Sequence, residues 1–201
     1  MAMMLTEQAP VLSAVLPLAE LKDHLRLGSG FADDGLQDGL IESYLRAAMA
    51  VIEGRIGKML YRRSFLWVVE YWRESDEQAL PVAPVAAIAS VTLVDALGGE
   101  VVVPEAAYRL VPDLQRPRIA GSGGSLPSVP TGGLVKVVFE AGFGPDWTDI
   151  PVDLRQAVLL LTSEYHEHRQ DDGSQSAGLP FGVVTLIERW RTVRILGGGR
   201  T

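Results

Sequence analysis

No cysteine occurs anywhere in the 201 residues. That rules out a disulfide framework, a thiolate nucleophile and cysteine-ligated zinc. It also suits a chain that folds without oxidation, as in a cytoplasm. Basic charge is scarce too. Lysine and arginine number 18 against 25 acidic residues, which gives a net charge of −7. A chain that binds nucleic acid on its own carries a basic patch, so this balance argues against such a role. It leaves open a protein that DNA merely passes. No apolar run reaches the roughly 18 residues a membrane span needs. Lys and Arg are missing before Lys22, Glu7 sits early, and Gln8, Pro10, Ser13 and Pro17 interrupt the apolar residues. A secretory signal is therefore not expected. The sequence contains no Gly-x-x-x-x-Gly-Lys-Ser/Thr loop, no Gly-x-Ser-x-Gly elbow and no convincing internal repeat, so those phosphate and serine chemistries have no motif to rest on.

Hydrophobic residues make up 47% and charged residues 21% of the chain, enough apolar material for one compact domain or a small domain with a large insertion. Residues 1–60 read as helical. Pro17 opens a short helix with Leu18, Leu21 and Leu25 on one face and Gly28 as its stop. Asp33 or Asp34 caps a longer helix reaching about Lys58. Its apolar stripe is Leu36, Leu40, Ile41, Tyr44, Leu45, Ala48, Ile52 and Ile56, with Gln37, Glu42, Arg46, Glu53 and Arg55 opposite. Residues 61–144 change to β-rich segments, among them SFLWVVEYW, AIASVTLV, GEVVVP, AYRLVP and LVKVVFEAG. Asp95–Gly99 reads as a hairpin turn, and the Gly/Ser/Pro-rich stretch 121–133 as a mobile loop. Residues 145–188 return to helix. Leu154, Val158, Leu161, Tyr165 and His168 form one stripe, Asp171–Gly178 a loop, and a last helix runs from Phe181 to about Ile195. The expected fold class is α+β: a small helical bundle of about four helices with an inserted β-rich region of antiparallel strands.

Several patterns invite a chemical reading. Gly142-Phe143-Gly144 lies between a strand and a helix that opens near Pro151, a place where backbone amides can cradle phosphate. A third glycine is missing, Pro145 follows, and Asp146 and Asp149 would repel phosphate. The alternative is a structural corner formed by Gly142, Gly144 and Pro151. His166 and His168 are two residues apart, about 200° around a helix, which is wrong for a shared metal. The plain reading puts His168 at the core edge and His166 in solvent. Trp67, Tyr71 and Trp72 read as alternating strand aromatics, in the core or at a subunit interface. The sequence therefore nominates no catalytic residue, metal or cofactor. The C-terminal segment from Arg189 to Thr201 holds Arg189, Arg191, Arg194 and Arg200 and no acid, so it carries +4 and the rest of the chain −11. Such segregation suits a tail that docks on an acidic partner or on phosphates, although cations also favour a helix C-terminus.

The layout resembles the head–tail connector (adaptor) proteins of long-tailed bacteriophages and gene transfer agents. The resemblance rests on LAELKDHLRL from Leu18, the acidic loop and long helix after it, LPVAPVAAIASV from Leu80, and Tyr108-Arg-Leu followed by Pro117-Arg-Ile. It continues through VVFEAGFG from Val137, IPVDLRQA from Ile150, and the helix ending EYHEHR at Arg169. It implies a structural, non-enzymatic protein that forms a ring, usually of twelve copies, under the portal in the neck of a virion or gene-transfer-agent particle assembled in the bacterial cytoplasm. Its implied partners are the portal, the stopper, identical subunits, and DNA passing through the channel without sequence-specific binding; no membrane is implied. Portal docking falls on Arg189, Trp190, Arg191, Arg194, Ile195 and Arg200, in a tail spanning 189–201. The alternatives are a soluble enzyme holding a phosphate-bearing ligand at Gly142–Gly144 and another neck protein, a stopper or tail terminator.

Overall fold

Apolar residues spaced three and four apart build one core, and apolar residues spaced two apart build another. The computed structural model describes residues 3–25, 37–168 and 178–191. The helical core is formed by α1 (Leu18–His24), α2 (Asp38–Ile56), α3 (Val152–Glu167) and α4 (Phe181–Ile187). Leu21, Ile41, Leu45, Ile52, Leu154, Val158, Leu161 and Val183 are buried in it. Each such side chain contributes roughly 1.5–3 kcal/mol by leaving water.

Three details of the helices depart from the sequence reading. Helix α2 stops at Ile56 rather than Lys58, because Gly57 takes a left-handed conformation (φ 67°) and its N–H caps the Glu53 carbonyl at 2.8 Å. On α2, Leu40 is exposed and Glu53 is buried, the reverse of the expected faces. Helix α4 stops at Ile187, a 3-10 turn spans Glu188–Trp190, and Arg191 is extended; the helix does not reach Ile195. The Gly28 stop, the Asp33 or Asp34 cap, Leu36 and residues 171–177 of the expected loop lie outside the described residues.

The β-rich part contains two antiparallel sheets. The strands are β1 (Met3–Glu7), β2 (Arg63–Val69), β3 (Glu77–Ala79), β4 (Val85–Val94), β5 (Glu100–Val102), β6 (Tyr108–Val111), β7 (Arg118–Gly121) and β8 (Leu134–Ala141). The larger sheet has the order β1-β2-β8-β4-β5 and the smaller one β3-β7-β6. Phe65, Trp67, Val69, Val135, Val137 and Phe139 alternate into the core, together with Val91 and Ile119. The β4–β5 turn is the expected hairpin. Asp95 Oδ1 accepts the N–H groups of Leu97 and Gly99, both at 2.8 Å.

Strand β1 corrects the helical reading of the N-terminus. It pairs along β2 from Met3↔Val69 to Glu7↔Phe65. At its end, Glu7 meets the Arg63 Nε at 3.0 Å, while Arg63 also holds the buried Glu53 at 2.7 Å. One arginine thus ties the sheet edge to helix α2. The stretch 121–133 is fastened rather than loose: Leu126 is buried, its N–H bonds the Ser75 carbonyl at 2.7 Å, and Trp72 Nε1 donates to the Pro127 carbonyl at 2.8 Å. The aromatic trio does not alternate in one strand, because β2 ends at Val69. Trp67 is buried, Trp72 lies 6.5 Å from it ring to ring, and Tyr71 is exposed.

Candidate functional site

Strand β8 hands the chain to helix α3 at Gly142-Phe143-Gly144. Gly142 has φ +132°, where side chains are strained, and a Cβ there would strike the Tyr61 carbonyl. Its N–H donates to the Pro84 carbonyl at 2.9 Å, the Phe143 N–H to the Leu60 carbonyl at 3.1 Å, and the Gly144 carbonyl accepts the Arg62 N–H at 2.8 Å. A Cβ on Gly144 would strike Asp149. Asp149 and Asp146 cap the following turn reciprocally, and Pro151 is the N-cap residue of α3. The amides of Gly142 and Phe143 are therefore spent on protein carbonyls. They form no open cradle for phosphate.

The root of the C-terminal segment lies against this corner. The Phe143 and Trp190 rings meet edge to face at 5.4 Å. Trp190 is 8% exposed. Asp153, in the first turn of α3, receives Trp190 Nε1 at 2.7 Å and Arg189 Nε at 2.7 Å on the same oxygen. The Trp190 carbonyl accepts from Lys58 Nζ at 2.6 Å. Lys58 is fully buried and donates also to Gln115 Oε1 at 2.6 Å. Burial pushes its amine below the ordinary lysine range, against the pull of Asp113. Asp113 in turn shapes the Gln115 loop by accepting the N–H groups of Arg116 and Gln115, and those bonds hold its carboxyl below its ordinary value.

The structure thus joins two regions that the sequence treats separately, the glycine corner and the basic tail. Of the six tail residues singled out, Trp190 is a buried anchor and Arg189 is paired with Asp153. Arg191 pairs with Glu188 at 3.2 Å on the surface, a contact worth about 0–1 kcal/mol. Arg194, Ile195 and Arg200 lie outside the described residues. Lys58, Gln115 and Asp153 were not legible as tail partners. The only sequence signal at Lys58 is a lone lysine between Gly57 and a hydrophobic pair.

The histidine pattern also resolves. His166 is half-buried, with its ring 6.5 Å edge-on to Tyr44, rather than in solvent. His168 Nδ1 lies 3.1 Å from the Glu164 carbonyl oxygen. Among the described residues, no group of three His, Asp or Glu side chains is placed to hold a metal ion. None of the described helices is long and apolar enough to cross a membrane.

No protein-family model matches the chain, and neither does any curated protein. Chains in solved gene transfer agent (GTA) particles do match. One, from the neck of an empty GTA particle computed with C6 symmetry, is 54% identical, with 97% of this chain and 98% of that chain covered and a TM-score of 0.89. A second, from the virion of a native GTA particle, is 53% identical over 97% of this chain and 98% of its own, with a TM-score of 0.86. A third, from the neck of a native GTA particle computed with C12 symmetry, is 50% identical at the same coverage, with a TM-score of 0.83. At this identity over nearly the whole length, the enzyme alternative falls away. The chain belongs to the head–tail connector family of gene-transfer-agent necks, whose members are structural components of the particle.

Proposed function

We propose that this chain forms a ring in the neck below the portal, docks on the portal through its C-terminal segment, and continues the DNA channel towards the stopper and tail. The observation that carries the docking role is the anchored root. Trp190 is pinned by Lys58, Asp153 and Phe143. At Arg191 the backbone is extended (φ −65°, ψ 135°). Residues 192–201 then carry Arg194 and Arg200 with no acid. A fixed root with a basic, acid-free extension suits capture by an anionic groove on a partner. Arg189 and Trp190 set the direction of that extension, and Arg194, Ile195 and Arg200 make the contact.

Twelve copies satisfy both the C12 and the C6 symmetry used for the necks that hold similar chains. The acidic balance of the body supports a channel wall, since like charge lowers the affinity of passing DNA. In this reading helices α1, α2, α3 and α4 carry the tail 189–201, and the corner at Gly142, Gly144 and Pro151 is structural. Deleting residues 192–201 tests the docking role while sparing the buried Trp190. The truncated chain is expected to keep its fold by circular dichroism and to lose portal binding in a pull-down. Undiminished portal binding would overturn the docking assignment.

A further inference from the structure

Resting on the ring reading above, we infer that the side-to-side contact of the ring joins the two free edges of the five-stranded sheet, β5 of one copy against β1 of the next. Among the described residues, each of these strands has a single hydrogen-bonded neighbour, β4 for β5 and β2 for β1. A free edge exposes unpaired N–H and C=O groups, and monomeric proteins blunt it with charge, proline or a bulge. Here the edges are largely apolar. Val101 is 65% exposed, Val102 68%, and Leu97 at the hairpin tip 97%. On the opposite edge, Met4 is 56% and Leu5 38% exposed. Val101 stands opposite Leu93, which packs on the strand core, so Val101 continues the core face beyond its cover.

The occupant is a second copy of this chain, for geometric reasons. A rotational ring presents two different surfaces of identical subunits to each other at every step. The sheet supplies two unlike free edges at its opposite ends. Its four successive pairings are all antiparallel, so β1 and β5 run in the same direction. Rotation about an axis along the strands would bring β5 of one copy beside β1 of the next, in parallel.

The absence of cysteine makes the contact testable by cross-linking in assembled particles. Met4→Cys and Val102→Cys are placed together on one chain. Four inter-strand steps separate these positions, about 19 Å, too far for a bond within one subunit. Mild oxidation of particles carrying the double variant is expected to give a ladder of linked chains on non-reducing gels. Either single variant is expected to give none. Intact neck rings without a ladder, for this pair and for Leu5→Cys with Val101→Cys, would overturn the edge contact and leave the ring reading standing. Self-linking of a single variant would mean a two-fold contact and would also overturn it. Wild-type particles whose necks contain this chain in no ring would overturn the ring reading, and the edge contact with it. If the first pair blocks neck assembly while the chain still folds, the second pair decides.

Discussion

The buried Lys58 ammonium donates to the Trp190 carbonyl at 2.6 Å, across 132 residues of sequence. With its second bond to Gln115, it joins the end of α2, the loop between β6 and β7, and the root of the C-terminal segment. Burying an ammonium is costly unless its donors are satisfied, and here two acceptors from distant parts of the chain are brought to it.

Lys58 leaves a signature in the pH dependence of stability. Its amine titrates lower in the folded chain than in the unfolded one. Between that lowered value and the unfolded value of about 10.4, the unfolded chain holds more protons, so this site's contribution to stability rises with pH. Below the folded value the contribution is absent. Urea denaturation of the wild type and of Lys58→Met across this window is expected to show wild-type stability gaining on the variant as pH rises. Parallel curves would contradict the assignment.

Trp190 acts as an anchor, so its replacements should be graded. Trp190→Phe keeps most of the packing and loses the bond to Asp153, at a cost of about 1 kcal/mol. Trp190→Ala removes the ring from the core and should cost about 3–5 kcal/mol. Equilibrium denaturation of both variants measures the difference.

Gly142→Ala forces a side chain into φ +132° and against the Tyr61 carbonyl. A loss of more than about 1 kcal/mol is expected. Nucleotide or pyrophosphate should leave the wild-type melting temperature unchanged. A ligand held here at 100 times its Kd would stabilise the fold by about 2.7 kcal/mol.

Glu53 joins α2 to the start of β2. Its carboxylate accepts the Leu60 N–H at 2.8 Å and both terminal nitrogens of Arg63, with side chains only 8% and 11% exposed. Glu53→Ala leaves a buried guanidinium with Glu7 as its one carboxylate partner among the described residues, and is expected to cost about 3–5 kcal/mol by chemical denaturation.

Strands β2, β4 and β8 and the Asp95–Gly99 hairpin were legible because their signals are local, a period of two and a glycine turn. The α+β class and the stripe of α3 from Leu154 to Tyr165 were legible for the same reason, while His168, read into that stripe, follows the helix end at Glu167. Strand β1 was not, since MMLTE carries no turn signal and becomes a strand by pairing with β2 and through the Glu7–Arg63 contact. Strands β3 (EQA) and β7 (RIAG) lack the β-branched or aromatic residues in number that made the equally short β5 (EVV) and β6 (YRLV) legible. The Gly/Ser/Pro composition of 121–133 hid Leu126, whose burial depends on Ser75 and its neighbours far back in the chain. Glu53 was misplaced, and the burial of Lys58 went unread, because a charged residue reads as solvated until its partners are known. Those partners lie ten residues away for Glu53 and up to 132 away for Lys58.

The most direct measurement is an electron cryo-microscopy map of the particle neck that resolves this chain's side chains. A ring of these subunits below the portal is expected, with Trp190 packed on Phe143 and residues 192–201 lying against the portal. A ring whose residues 192–201 point away from the portal, or a neck that holds this chain outside any ring, would contradict the account.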